Sequence, residues 1–177
     1  VRHQNIRWTY ADYQERIDAL ATGLLAMGVN PGDRVGIWSP NRVEWCLTQF
    51  ATAKIGAIMV CINPAYRLYE LEYALNKVAC NALIAAESFK SSEYLQMLQT
   101  LAPELDQCPP GALVAAKVPH LKSVVRMGEG KTPGMFNFDQ VCAMGGSSES
   151  SRMAAIAATL QPDDAINIQF TSGTTGN

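Results

Sequence analysis

The six residues before Asn177 have the composition best suited to chemistry. Residues 171–176 read TSGTTG and follow an apolar, strand-like run. Glycines allow backbone angles closed to other residues and let main-chain amides approach an anion, while Ser and Thr add hydroxyl donors. The loop therefore suits a polyphosphate, with these candidate ligands: Thr171, Ser172, Gly173, Thr174, Thr175 and Gly176. An ordinary exposed turn is the alternative, because Ser, Thr and Gly are common turn residues.

A Walker A loop is the competing phosphate motif, and the sequence disagrees with it. That motif needs four residues between its glycines and a lysine directly after the second. Here only two residues separate Gly173 from Gly176, and Asn177 follows.

Two acidic pairs are better explained by structure than by catalysis. Glu70 and Glu72 stand two apart on a predicted helix, so they point to different sides and favour a solvated face. Asp163 and Asp164 follow a proline at a strand entry, where short acidic side chains satisfy turn amides.

Histidine and cysteine give little support to a metal or redox site. His3 and His120 each stand alone in loop-like sequence. The cysteine count is odd, with no C-x-x-C pair, and most lie in apolar segments, which predicts reduced, buried thiols. They are Cys46, Cys61, Cys80, Cys108 and Cys142.

One further stretch, NPAY at residues 63–66, is a functional candidate because of its position. It follows a predicted strand, and open parallel sheets bind ligands at the carboxyl ends of their strands. Trp38 and Trp45 are predicted to be core or rim aromatics.

Helical and strand-like segments alternate through the first half of the chain. A Thr9–Asp12 capping box predicts a helix that stops at Gly28, and Asn41 is the predicted cap of a second helix ending near Gly56. Further helices are predicted at residues 68–79 and 91–101, and strands at 34–38, 57–62 and 82–86. This alternation predicts an α/β fold with a mainly parallel sheet and helices on both faces.

The second half is less regular. Residues 102–119 read as a surface excursion, and 147–151 as a loop or helix entry. Strands are predicted at 122–127 and 165–170, the latter buried, and helices at 136–145 and 153–160. There is no internal repeat or linker, so one domain, or part of one, is expected.

Composition excludes two broad classes of partner. At 177 residues and 48% hydrophobic, the chain can bury a core. A net charge of -2 with mixed signs offers no basic surface for nucleic acid. The longest apolar run, residues 55–62, is far shorter than a membrane helix, which leaves at most a peripheral membrane contact.

Three stretches together resemble a known family. FTSGTTGN is similar to the start of the phosphate-binding signature of the AMP-forming acyl-CoA synthetases, the adenylate-forming superfamily. Residues 9–45 and 51–77, with DDAINIQFTSGTTGN at 163–177, resemble its fatty-acyl-CoA ligase branch. The resemblance covers nearly the whole chain and is weakest at residues 102–152.

The resemblance implies a two-step ligase. A fatty or other carboxylic acid attacks ATP to give an acyl-adenylate and pyrophosphate, and coenzyme A then displaces AMP. Residues 171–176 would hold the β- and γ-phosphates, with Thr171 beside Mg²⁺. Fixed amide and hydroxyl dipoles aimed at the departing pyrophosphate would lower the barrier.

The chain departs from the family in extent. The lysine that continues the signature, the adenine- and ribose-binding segments and the small C-terminal domain are absent, so residues 1–177 are expected to be a partial N-terminal AMP-binding domain, inactive alone. A non-catalytic truncated binding or regulatory module, or an aryl-CoA ligase type of enzyme, are the alternatives. A cytoplasmic location is expected, with the mitochondrial matrix as the alternative if a transit peptide is missing.

Overall fold

A single six-stranded parallel sheet organises the chain in the computed structural model, which describes residues 1–171. The strand order is β7-β6-β3-β1-β2-β8, and every pair is parallel. The strands are β1 (Arg34–Trp38), β2 (Ile58–Ile62), β3 (Ala82–Ala85), β6 (Ser123–Arg126), β7 (Met135–Asn137) and β8 (Asn167–Gln169). A separate two-residue hairpin joins β4 (Ser88–Phe89) to β5 (Ser92–Glu93).

The helices form two groups around this sheet. They are α1 (Tyr10–Ala26), α2 (Val43–Lys54), α3 (Leu68–Lys77), α4 (Tyr94–Leu101), α5 (Phe138–Cys142) and α6 (Ser147–Ala157). Helix α1 contacts α2, α5 and α6, whereas α3 contacts α4. Strand β1 is buried from Val35 to Trp38, which requires cover on both faces. The predicted α/β fold with helices on both faces is confirmed.

The first helix is built from local signals, as predicted. Thr9 and Asp12 form the capping box: the Asp12 amide donates to Thr9 Oγ1 at 3.2 Å and the Thr9 amide to Asp12 Oδ2 at 2.9 Å. Near the other end, Gly23 lets α5 approach, because a Cβ there would lie 1.9 Å from the carbonyl oxygen of Val141. Gly28 ends the turn after the helix with a φ of +97°.

The predicted cap of α2 was wrong. Asn41 is not its N-cap; Arg42 holds that position without a capping side-chain bond. The Val43 amide instead donates to Oε1 of Gln4 at 2.8 Å. A side chain 39 residues earlier therefore satisfies the helix.

The middle of the chain is also more structured than predicted. Residues 102–119 are not a surface excursion: they contain a 3₁₀ helix at Pro103–Gln107 and bury several apolar side chains. The buried residues are Ala102, Leu105, Leu113, Ala115 and Val118. The sequence did not predict this packing, because the apolar residues do not follow the spacing of a helix or a strand.

The last described strand, β8, is an edge strand, contrary to the expectation of a buried one. It pairs only with β2 among the described residues, and Asn167 and Gln169 are exposed while Ile168 is half-buried. Residues 147–151, predicted as a loop or helix entry, begin α6, which ends at Ala157 rather than near residue 160. Within residues 1–171, no helix combines the length and apolar composition needed to cross a bilayer.

Candidate functional site

All six sheet strands point the same way, so the loops that follow them meet at one edge. The connection from β1 leads to β2, towards one end of the sheet, whereas the connection from β3 leads to β6, towards the opposite end. Such a reversal opens a crevice at the carboxyl ends of the strands, where open α/β sheets bind ligands. The carboxyl edge is therefore the candidate site.

The NPAY stretch forms a tight turn at this edge, directly after β2. The Ala65 amide donates to Oδ1 of Asn63 at 2.9 Å, and the Tyr66 amide donates to the Asn63 carbonyl at 3.0 Å. Asn63 is itself exposed. We call residues 63–66 the β2 turn.

Two buried aromatic side chains support the β2 turn from within the core. Trp38, the last residue of β1, stacks on Tyr94 of α4 with ring centroids 3.7 Å apart and an interplanar angle of 16°. Trp38 Nε1 donates to the Asn63 carbonyl at 3.2 Å, and the Tyr94 hydroxyl donates to the Pro64 carbonyl. Burial raises the pKa of Tyr94 to about 12, so the phenol remains a neutral donor at physiological pH.

Strand β8 brings the start of the hydroxyl-rich loop to the same place. Cys61 of β2 pairs with Gln169 of β8, so two residues further on Asn63 and Thr171 follow neighbouring strands. Thr171 is exposed. The other predicted ligands, Ser172, Gly173, Thr174, Thr175 and Gly176, lie outside the described residues. The structure thus places Thr171, the first residue of one stretch that the sequence singled out, beside the other stretch at residues 63–66.

At two helix N-termini on this edge, a backbone amide donates to a protein side chain. Gln4 accepts from the Val43 amide at α2, and its Nε2 donates to Glu44 at 3.0 Å. At α3, the Arg67 amide donates to Glu70 at 3.1 Å. Glu70 thus has a structural role as a capping residue of α3.

Sequence reasoning missed an ion pair at the far side of the edge. Arg126 ends β6 and is 4% exposed, and its guanidinium contacts Glu87 after β3. Gly130 lies against this arginine, because a Cβ there would be 2.2 Å from Nη1. The ion pair could have been suspected from the sequence, because Arg126 stands at the end of an apolar run that is followed by GEG at residues 128–130.

The prediction of buried thiols holds for one cysteine of five, and one of the two acidic turn residues has its predicted role. All five thiols are free, but only Cys80 is fully buried and Cys46, on the outer face of α2, is exposed. Burial raises the pKa of Cys80 to about 12, which keeps it protonated. Asp164 accepts from the Gln161 amide at 2.7 Å, which confirms its turn role. In residues 1–171, no three His, Cys, Asp or Glu side chains could share a metal ion.

Comparison with known proteins places the chain in a family. A model described as "AMP-binding enzyme" matches residues 1–177. The bovine medium-chain acyl-CoA ligase ACSF2, mitochondrial, is 44% identical over 100% of this chain and 29% of its own length. The putative acyl-CoA synthetase YngI of Bacillus subtilis is 38% identical over 98% of this chain and 32% of its own.

The fold has a matching solved structure. The anthranilate CoA ligase AuaEII, in complex with anthranoyl-AMP, superposes with a TM-score of 0.68 at 22% identity. The match covers 97% of this chain and 29% of that one. This chain spans less than a third of the length of these three proteins. Its full-length match to the family model and its identity to the two curated relatives lead to one assignment: the chain belongs to the AMP-binding enzyme family.

Proposed function

We propose that the chain is the N-terminal part of an AMP-forming acyl-CoA ligase. The ligase joins a carboxylic acid to the α-phosphate of ATP, releasing pyrophosphate, and then transfers the acyl group to the thiol of CoA, releasing AMP. One observation carries the proposal: β8 delivers Thr171 to the carboxyl edge of the sheet, beside the β2 turn. The activity named for the ACSF2 relatives supports it.

In this proposal the loop after β8 binds the β- and γ-phosphates of ATP. Its donors are the hydroxyls of Thr171, Ser172, Thr174 and Thr175 and the amides around Gly173 and Gly176. Negative charge grows on pyrophosphate as the acid attacks, so donors fixed before the reaction stabilise the transition state most. The glycines admit the phosphates to main-chain distance.

The chemistry of the described residue in this loop fits a magnesium ion. Thr171 is exposed and carries a neutral oxygen, and Mg²⁺ prefers oxygen ligands while keeping several waters and phosphate oxygens. We assign the Thr171 hydroxyl to this position. When bound, the ion would neutralise part of the charge on the phosphates.

The substrate is proposed to be a fatty acid, with medium chain length as the first choice. The ACSF2 relatives are named medium-chain ligases, which favours that class over the aryl acids suggested by the anthranilate ligase at lower identity. Each of the two locations considered from the sequence is supported by one relative: ACSF2 is named mitochondrial, and YngI is bacterial. We therefore keep both the cytoplasm and the mitochondrial matrix as proposed locations.

Residues 1–177 are proposed to be a partial AMP-binding domain. The share of the relatives that the chain spans supports this, as does its 37% coverage of the isolated N-terminal domain of FACL13 from Mycobacterium tuberculosis. The alternative is a truncated module that binds or regulates without catalysis. Sequencing past Asn177 separates the two, because only a continuing reading frame is compatible with the ligase.

The proposed function is tested by pyrophosphate–ATP exchange in the full-length protein, with acids of different length. Exchange that depends on a medium-chain fatty acid and needs Mg²⁺ is expected. Exchange with benzoate or anthranilate but not with fatty acids would replace the substrate class, and exchange with no acid at all would overturn the ligase assignment.

A further inference from the structure

The β2 turn is fixed by more hydrogen bonds than an exposed turn needs. Beyond the bonds from Trp38 and Tyr94, Arg67 follows the turn and its Nη1 donates to Oγ of Ser92 at 2.7 Å. Ser92 is 8% exposed and begins β5. Two carbonyls of the turn are therefore bonded to β1 and α4, and the residue that follows the turn is bonded to β5.

These attachments make the turn rigid. Trp38 and Tyr94 are both 0% exposed, and each directs its single polar hydrogen at a turn carbonyl. If the turn moved away, a buried indole N–H and a buried hydroxyl would lose their partners, which costs more than the bonds themselves contribute. The stacked rings also leave neither side chain free to follow the turn.

The face that the turn presents to solvent lies next to Thr171, the first residue of the loop after β8. Asn63 and Thr171 each stand two residues beyond the pair Cys61–Gln169, and neighbouring strands run roughly 4.8 Å apart. The Asn63 side chain is exposed, and among residues 1–171 its Nδ2 donates to no partner while its Oδ1 holds the turn. A free amide donor on a rigid support thus stands beside the start of the phosphate loop.

We propose that the β2 turn forms a second wall of the phosphate site, with Asn63 facing the ligand and with Trp38 and Tyr94 as positioning residues. This rests on the proposed function, since it needs the loop after β8 to bind the phosphates of ATP. Position matters in such a site, because misplacing a group by about 1 Å can cost as much as 10²-fold in rate.

The first test changes a positioning residue and leaves the residues of the β2 turn unchanged. Tyr94→Phe in the full-length enzyme removes one hydroxyl and keeps the ring stacked on Trp38. Acyl-adenylate formation is expected to fall about tenfold, while thioester formation from supplied acyl-adenylate stays near the parent rate. Tyr69→Phe, on an 81% exposed tyrosine of α3, is the matched control and should change neither half-reaction.

The second test adds charge to the wall without removing the turn. Asn63→Asp keeps an oxygen for the Ala65 amide but places a negative charge beside the phosphates. The KM for ATP is expected to rise at least about fivefold, less so at high salt, with the melting temperature little changed. Gln107→Glu makes the same amide-to-carboxylate change at the exposed end of the 3₁₀ helix Pro103–Gln107 and should leave this KM unaltered.

The outcomes separate this inference from the proposed function. Equal losses in both half-reactions for Tyr94→Phe, or an unchanged ATP KM for Asn63→Asp, would reduce the turn to a purely structural element and overturn the inference. Gly173→Val in the same assays reports on the loop itself. If Gly173→Val adenylates at the parent rate, the proposed function fails; if it is damaged while both turn variants behave as parent, only the inference fails.

Discussion

Replacing Gln4 by alanine should loosen the start of α2. The change removes two bonds: the one from the Val43 amide at 2.8 Å and the one to Glu44 at 3.0 Å. Loss of a helix cap costs about 1 kcal/mol, and a hydrogen bond to a charged group contributes about 1.5 kcal/mol when fully buried. Because Glu44 keeps its contact with Arg42, we expect a total near 2 kcal/mol.

This effect is best measured locally. Amide hydrogen exchange of peptides covering residues 42–54 in the full-length protein reports the opening of α2 directly. A loss of about 2 kcal/mol accelerates exchange in the first turn about 30-fold. Gln96→Ala, on an exposed position of α4, is the control and should leave exchange in α2 unchanged. Unaltered exchange in Gln4→Ala would refute the long-range cap.

The pH dependence of the same variant has a definite sign. Burial alone would raise the pKa of Glu44, but hydrogen bonds from Arg42, its own backbone and Gln4 together hold that pKa below 4.5. Its stabilising contribution is therefore complete above pH 4.5 and is lost as the pH falls through the lowered pKa. The difference between parent and Gln4→Ala should shrink at acid pH, leaving the part due to the Val43 amide.

The remaining predictions concern the loop and the extent of the chain. In the full-length enzyme, Gly173→Val should damage acyl-adenylate formation more than Thr174→Ala, whose lost donor costs about 3 kcal/mol, while thioester formation from supplied acyl-adenylate suffers much less in both. Parent rates of adenylation in both variants would support the ordinary turn. Residues 1–177 expressed alone should catalyse no acid-dependent pyrophosphate–ATP exchange above a no-enzyme control. The isolated chain should also bind an apolar dye or self-associate, because Tyr10 and Phe50 are exposed; a monodisperse monomer with a sharp thermal transition would contradict this.

Elements specified by neighbouring residues could be predicted from the sequence. The cap of α1 involves Thr9 and Asp12, three residues apart, and was correct. Strands β1, β2 and β3 were each visible as a short apolar run between turn or helix signals. The hairpin of β4 and β5 has two residues in each strand, which is too short for any periodic signal.

Features that depend on distant residues could not be predicted. The cap of α2 requires knowing that Gln4 folds back over Val43. The exposure of β8 was missed because an apolar strand reads the same at an edge as in the centre of a sheet, and only its pairing with β2 distinguishes the two. The packing of residues 102–119 was not predicted, because their buried apolar residues have no periodic spacing.

The two parts of the candidate site show the difference between features set by neighbouring residues and features set by distant ones. The loop at residues 171–176 was predicted from its own composition, and the β2 turn only from its place after a strand. Thr171, the first residue of that loop, comes near the β2 turn because of the strand order, in which β8 joins β2 after more than a hundred intervening residues. Trp38 was predicted as a core or rim aromatic, and it is one, yet its indole N–H also reaches the turn. Trp38 and Tyr94 therefore contact the candidate site only because the fold brings α4 and β2 together. Substitutions at these two residues, rather than in the loop, test how much the fold contributes to the proposed catalysis.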